Sequence, residues 1–390
     1  MKFSVGTADF PDDIDDVTLT IDARQLGGWT SVRVTRGIER CPNDFEIELT
    51  NLEPRAVDGI VVHPGDACQL KFGDDLVITG FVDRVLPRIA PGQHSIRVVG
   101  RGKCQDLVDC SAVVPGGQIS GLNLFQLAAT LAEPFGIGVQ SLGDMGDQIP
   151  QYNIGHGTTV WTVIEEWARI RKVLAFETPE GNLQLLNAGT APVPFMAAAD
   201  LFKAAASGFV EGVNVLSAEA EWSMDQRYSV YRCFRQAIDM FLDLGEGGNL
   251  IATFPDDAVS RYRVHDAIAE ISTGQGLDNA KERAQWEASR RAGRSSVVRL
   301  VTDSWRDVAG TLYTPGTTAI LSIPSLYKQE GPSLGPPWVI SEVVYRRDDQ
   351  GTTAEILMMP RQAFAPPPTL PPMVLPPILL TRPPDAGRPQ

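Results

Sequence analysis

Between Val17 and Gly102 apolar residues recur at every second position, in runs too short for helices and closed by turn signals. "VTLTIDA" (Val17–Ala23), "TSVRVTRGI" (Thr30–Ile38) and "DFEIELTNL" (Asp44–Leu52) carry the pattern, the last with Phe45, Ile47 and Leu49 on one face. "GIVVHPGDACQLKF", "GDDLVITGFVDRVLP" and "HSIRVVGRG" follow, separated by "HPGD", "GDD" and "APGQ". Successive side chains of a strand point to opposite faces, so this period buries one face and wets the other. The pattern predicts a small antiparallel barrel or sandwich of about six strands.

The period changes after Asp106. "NLFQLAATLAEPFG" places Leu124, Leu127, Ala128, Leu131 and Phe135 on one helical face, with Asn123 and Gln126 spaced as a capping box and Gly136 at the stop. "TTVWTVIEEWARIRK" (Thr158–Lys172) predicts a second helix with a Val160, Ile164, Trp167, Ala168 stripe and a Glu165–Arg169 pair. A hairpin turning at Pro179–Asn182 completes a small α/β region. Strands return in "VNVLSAEAEWSM", "YSVYRCFRQ", "SVVRLVTDSW", "TTAILSIPSLY", "WVISEVVYRR" and "TTAEILMMP". A charged helix from about Asn279 to Arg291 interrupts them, with Glu287 spaced to pair Arg283 and Arg291 and with Gly293 at the expected stop. The chain reads as a β-rich α+β protein. Its expected parts are a first β-barrel domain over 1–105, an α/β insert over 106–200, a second β-barrel domain over 201–364 and a proline-rich tail over 365–390. That tail, with "MVLPPILL" at Met373–Leu380, fits either a docked segment or a loose linker.

The residues that bear chemistry do not assemble into a site by spacing. His63, His94, His156 and His265 lie in different elements without zinc-ligand spacing. The carboxylate pairs in "GDD" (Gly73–Asp75) and "PDD" (Pro255–Asp257) read as turn residues. No phosphate loop, dinucleotide fingerprint or nucleophile elbow is present. The basic run "SRRAGRSS" (Ser289–Ser296) reads as a solvated helix end or a subunit contact rather than a phosphate site. The formal net charge of −14 argues against tight wrapping of nucleic acid. Five cysteines at 41, 68, 104, 110 and 233 have no repeated spacing, which predicts free thiols. Neither a secretory leader nor a membrane-length apolar run is visible, and no stable membrane insertion is expected. Cys104 and Cys110, six apart, point about 120° away from each other on a straight helix and do not chelate one ion. They are expected to pack, Cys110 the deeper, with Leu107 and Val108 as buried anchors and Asp106 and Asp109 capping or facing water. Catalytic, cofactor-binding and metal residues are all expected to be none.

The run "SIRVVGRGKCQDLVDCSAV" resembles the end of the first domain in the baseplate hub proteins of Mu-type contractile-tail phages. The resemblance continues in order through "LFQLAATLAEPFGIGV", "TTVWTVIEEWARIRKVLAFETPEGNLQL", "RYRV", "AKERAQWEASRRAGRS", "DSWRDVAGTLYTPG" and "ISEVVYRRDDQGTTAEILMMPRQAF", covering about residues 15–364. Cys104 departs from it, standing where the family carries Thr or a small polar residue, and the proline-rich tail lies outside it. The resemblance implies a non-enzymatic structural protein of the virion tail baseplate, assembled in the host cytoplasm. It implies a homotrimer whose subunits each supply two similar β-barrels. Its partners would be the tail tube or a distal tube-initiator protein, the central spike and the baseplate wedge, with DNA only in transit through the ring. A hub-like base of a type VI secretion or extracellular injection spike is the related alternative. A tail-borne cell-wall hydrolase is the alternative of a different class, and it would need an acid or metal site.

Overall fold

The computed structural model describes residues 14–50, 62–91, 93–149, 151–171, 173–187, 208–236, 249–269, 277–326 and 338–364; the proline-rich tail lies outside these. The first β unit holds β1 (Val17–Ile21), β2 (Arg24–Leu26), β3 (Ser31–Gly37), β4 (Asp44–Thr50), β5 (Ala67–Phe72), β6 (Asp75–Ala90) and β7 (Gln93–Gly102). Its period of two is visible in β1, where Val17, Leu19 and Ile21 are buried and Thr18 and Thr20 are half-buried. Phe45 and Ile47 of β4 are fully buried, and Leu49, nearer the strand end, is half-buried.

The α/β unit follows as α1 (Gln105–Asp109), β8 (Gln118–Ile119), α2 (Leu124–Ala132), β9 (Val139–Leu142), β10 (Tyr152–Asn153), α3 (Val160–Ile170), β11 (Leu174–Glu177) and β12 (Leu183–Leu186). The Asn123–Gln126 capping box forms in both directions, at 2.9 and 3.0 Å. Thr159 caps α3 by accepting the Thr162 amide at 3.2 Å. Leu124, Leu127, Ala128 and Leu131 of α2 meet Val160, Ile164, Trp167 and Ala168 of α3 in one core. The β11–β12 hairpin forms where the sequence places it, and β12 also pairs in parallel with β9.

The last unit contains β13 (Phe209–Val210), β14 (Val215–Trp222), β15 (Val230–Gln236), β16 (Asn249–Pro255), β17 (Val264–Ala269), α4 (Leu277–Arg294), β18 (Ser296–Thr302), β19 (Thr318–Ala319), β20 (Leu321–Ser322), β21 (Trp338–Asp348) and β22 (Gly351–Pro360). The strands β16 and β17 fall between "YSVYRCFRQ" and the charged helix, where the sequence pattern predicts no strand. They flank β15 in a separate sheet, antiparallel on one side and parallel on the other. The helix α4 covers this sheet, and its small residues Ala280, Ala284 and Ala288 let it approach Tyr231, Cys233 and Ala252 closely.

Antiparallel sheet dominates, as the sequence predicts. Among the described residues, however, the strands close no barrel. They run as one twelve-stranded sheet in the order β14-β18-β22-β21-β3-β4-β7-β6-β5-β1-β2, with β19 on β21. The reason is the β3–β21 pairing, Val34 opposite Tyr345 and Arg36 opposite Val343, which splices the two β units edge to edge. One core then serves both, joining Phe45, Ile47 and Phe72 to Leu300, Trp305, Tyr345 and Ile356.

Candidate functional site

Two structural features tie the units together, and a third relates the two β units to each other. The first is the exit from β7. There the Glu177 carboxylate, at the end of β11, accepts the Asn43 amide at 2.8 Å and the Cys104 amide at 2.7 Å. The Asn43 side chain donates back to the Glu177 carbonyl at 3.3 Å. A Cβ on Gly102 would lie 1.9 Å from this carboxylate, so only glycine leaves room for it. Glu177 is 4% exposed. Burial raises its carboxyl to about 7, against the opposing pull of the two amides, the Cys104 thiol and Arg36. Sequence reasoning passed over Glu177, because a charged residue at a buried strand end leaves no periodic signal.

The stretch around α1 differs from expectation in two respects. Cys104 is fully buried and Cys110 only half-buried, the reverse of the predicted order. Cys104 precedes α1 and faces the α/β core, whereas Cys110 ends the helix. Leu107 is buried as predicted, but Val108 is half-buried. Asp109 is exposed and pairs with Arg101 at 2.8 Å, and Arg101 also holds Asp83 at 2.6 Å.

The second feature is a plug from the last unit into the first. Trp305 stacks on Phe72 at 4.1 Å between ring centroids and donates its indole N–H to the carbonyls of Arg346 and Thr353. The neighbouring Arg306 guanidinium, 7% exposed, bonds the carboxylates of Asp15 and Asp75 and the carbonyls of Ile14, Phe72 and Gly310. Asp75 belongs to the "GDD" turn, so one carboxylate of that pair is an ion-pair partner. In "PDD", Asp256 chelates Arg227 at 2.8 to 3.1 Å.

The third feature is a repeat in the backbone. Gly65 follows Pro64 with φ +94° and donates its amide to the Val82 carbonyl at 2.7 Å; Val82 returns an amide to Asp66 at 2.9 Å. Gly316 follows Pro315 with φ +90° and donates to the Ile340 carbonyl at 2.8 Å; Ile340 returns an amide to Thr317 at 2.9 Å. Val82 and Ile340 each stand at the register shift of a long hairpin, β6–β7 and β21–β22. The same turn and the same bulged hairpin therefore occur once in each β unit.

The remaining residues singled out from sequence scatter. His63 and His156 are exposed, His94 is half-buried, and His265 stacks on Tyr228 at 4.7 Å. Among the described residues no group of three His, Cys, Asp or Glu side chains is placed to hold a metal ion. The basic run is spent inside the fold: Arg290 and Arg294 reach Glu39, and Arg291 pairs with Glu287. The predicted helix stop at Gly293 lies inside α4, which continues to Arg294. Gly293 instead allows a close crossing, since a Cβ there would sit 2.3 Å from the Ala363 amide nitrogen. No helix among the described residues is long and apolar enough to cross a membrane.

Three family models match in succession. Residues 16–102 match "Mu phage baseplate assembly protein GpP-like, N-terminal", residues 104–187 "Baseplate hub protein gp44-like, second domain", and residues 277–367 "Mu phage baseplate assembly protein GpP, fourth domain". The baseplate hub protein gp44 of Escherichia phage Mu is 29% identical over 360 residues, covering 90% of this chain and 89% of that one. The crystal structure of the 43 kDa tail protein of prophage MuSo2 from Shewanella oneidensis is 27% identical, with a TM-score of 0.75 over 90% of this chain and 100% of its own. A tail protein from Neisseria meningitidis MC58 shares the fold at 16% identity, with a TM-score of 0.68 over 90% of this chain and 98% of its own.

Proposed function

This chain is a homologue of the Mu phage baseplate hub protein, and from that premise we propose that it forms a homotrimeric ring joining the tail tube to the central spike. The observation that carries the reading is the sequence relation, which runs through about nine-tenths of both chains rather than through one shared domain. The repeated Pro-Gly turn and bulged hairpin support it from inside the fold. Three subunits with two similar β units each present six similar units. Such a ring matches a hexameric tube on one side while keeping true threefold symmetry for a trimeric spike on the other.

In this reading each β unit is a barrel of the assembled ring, and the wedge proteins attach outside it. The work is adaptation of shape and symmetry, without catalysis. The net charge of −14 suits a conduit through which DNA passes in transit, because an acidic lining would not trap phosphates. Assembly takes place in the host cytoplasm before the protein enters the virion.

Light scattering of the purified chain, alone and with the tail's spike protein, tests this directly. A trimer and a ring in electron micrographs are expected. A chain that stays monomeric at every concentration and binds neither spike nor tube protein overturns the reading.

A further inference from the structure

Two of the chain's thiols lie just beyond one end of the β4–β7 ladder, Cys41 before β4 and Cys104 after β7. In β4–β7 Phe45 pairs with Gly100 and Asp44 with Arg101. The next rung is held by the Gly102 amide on the Asn43 carbonyl at 2.9 Å. Cys41 precedes that rung by two residues and Cys104 follows it by two, and the Glu177 carboxylate clamps the Asn43 and Cys104 amides at 2.8 and 2.7 Å. A disulfide needs Cβ atoms about 3.5–4.5 Å apart. Both cysteines pack into the α/β core. There Cys41 and burial push the Cys104 thiol well above its ordinary range, and that thiol lies 3.8 Å from the Gly181 carbonyl. All five thiols are free in this structure.

We propose that Cys41 and Cys104 form a disulfide by exchange with a small disulfide of the glutathione class, stapling the first β unit to the α/β unit. The two thiols differ in a way that orders the steps. Cys41 is half-buried and reachable, whereas Cys104 is fully buried. The Cys41 thiolate attacks one sulfur of the small disulfide. A mixed disulfide forms on Cys41 and one small thiolate leaves. Cys104 then gives its proton to the Glu177 carboxylate, attacks the Cys41 sulfur and displaces the second small thiol. Two protein thiols are oxidised to one disulfide, and one small disulfide is reduced to two thiols.

Glu177 suits the second step on two grounds. Its carboxylate already accepts the Cys104 amide at 2.7 Å and the Asn43 amide at 2.8 Å, so both flanks of the pair are fixed before reaction. It also sits beside a thiol that neighbouring Cys41 and burial hold well above the ordinary range, and such a thiol needs a base at hand. Cys110 is no competitor, because it lies at the far end of α1. The pair follows from this chain's own departure at Cys104 and does not depend on the hub reading.

The test treats the reduced full-length chain with excess oxidised glutathione, then alkylates it in denaturant and maps the cysteines by mass spectrometry. A Cys41–Cys104 linked peptide is expected, with Cys68, Cys110 and Cys233 alkylated. The oxidised protein should melt at a higher temperature than the reduced one, and dithiothreitol should reverse the shift. In Cys104→Ser the bridge should vanish and Cys41 should retain one glutathione; in Cys41→Ser, Cys104 should stay unmodified. Five alkylated thiols in the folded wild type, or a Cys104–Cys110 link, overturns the proposal. The wild-type map alone decides the point should a variant fail to fold.

Discussion

The Arg306 guanidinium meets the Asp15 carboxylate at 3.0 Å, across 291 residues of sequence. Both groups are largely withdrawn from water, and the same guanidinium also binds Asp75 and three backbone carbonyls. Removing a cation from such a cluster leaves buried acceptors without partners. Arg306→Ala should therefore destabilise the fold by about 3–5 kcal/mol. Asp75→Asn should cost less than about 1 kcal/mol, because Asp75 is half exposed and solvent screens it. Urea denaturation followed by tryptophan fluorescence ranks the two. Equal losses would mean that the half-exposed Asp75 pair, rather than the buried cluster, carries the contribution of Arg306.

Trp305 beside it fills space instead of matching charge. It is fully buried, stacked on Phe72 at 4.1 Å, and edge-on to Tyr345 at 6.1 Å. Trp305→Ala opens a cavity between the two β units and should cost about 3–5 kcal/mol, whereas Trp305→Phe should recover a large part of it. Since Trp305 and Arg306 serve one joint, the double variant should lose less than the two single losses combined. Full additivity in the same denaturation experiment would argue for two independent contacts.

Gly293 permits a crossing that no other residue tolerates. A Cβ at this position lies 2.3 Å from the Ala363 nitrogen and 2.8 Å from its Cα, and backbone cannot swing aside as a flexible side chain can. Gly293→Ala would improve the intrinsic propensity of α4 by up to about 1 kcal/mol. Here the overlap wins, and a net loss of about 1–3 kcal/mol is expected. Hydrogen exchange should locate it: amides of Arg361–Phe364 and the last turn of α4 should exchange faster, while those of α2 and α3 stay unchanged.

The sequence made the first β unit legible because each strand there buries one face, so period two survives in β1 and β4. It made α2 and α3 legible because their caps and stripes are local. What stayed hidden is non-local. The strand β17 reads "VHDAIA", in which His265 and Asp266 break the alternation. The splice of β3 onto β21 joins edges more than three hundred residues apart in the chain, and neither strand carries a mark of its partner. The order of burial of Cys104 and Cys110 was misread for the same reason. The core that covers Cys104 comes from elements downstream of it, and Glu177 stands 73 residues away.

Glu177 gives the joint a pH dependence with a definite sign. Burial raises its carboxyl from 4.5 to about 7, so the folded protein binds this proton more tightly than the unfolded chain does. The stabilisation is fully present below pH 4.5 and is lost as pH rises through 7. It amounts to about 3 kcal/mol between those limits. Arg36 and the amides of Asn43 and Cys104 favour the charged form, but burial outweighs them. Other carboxylates, such as Asp266 beside Arg232, are held low and slope the opposite way. The readout is therefore the stability of wild type minus that of Glu177→Gln, measured by urea denaturation from pH 4.5 to 8.5. Gln cannot accept both amides without turning its own NH2 toward one of them, so the variant should be weaker at low pH. The gap should narrow as pH rises toward 8 and stay constant beyond it. A gap that is the same at every pH would show that the carboxyl does not titrate near 7.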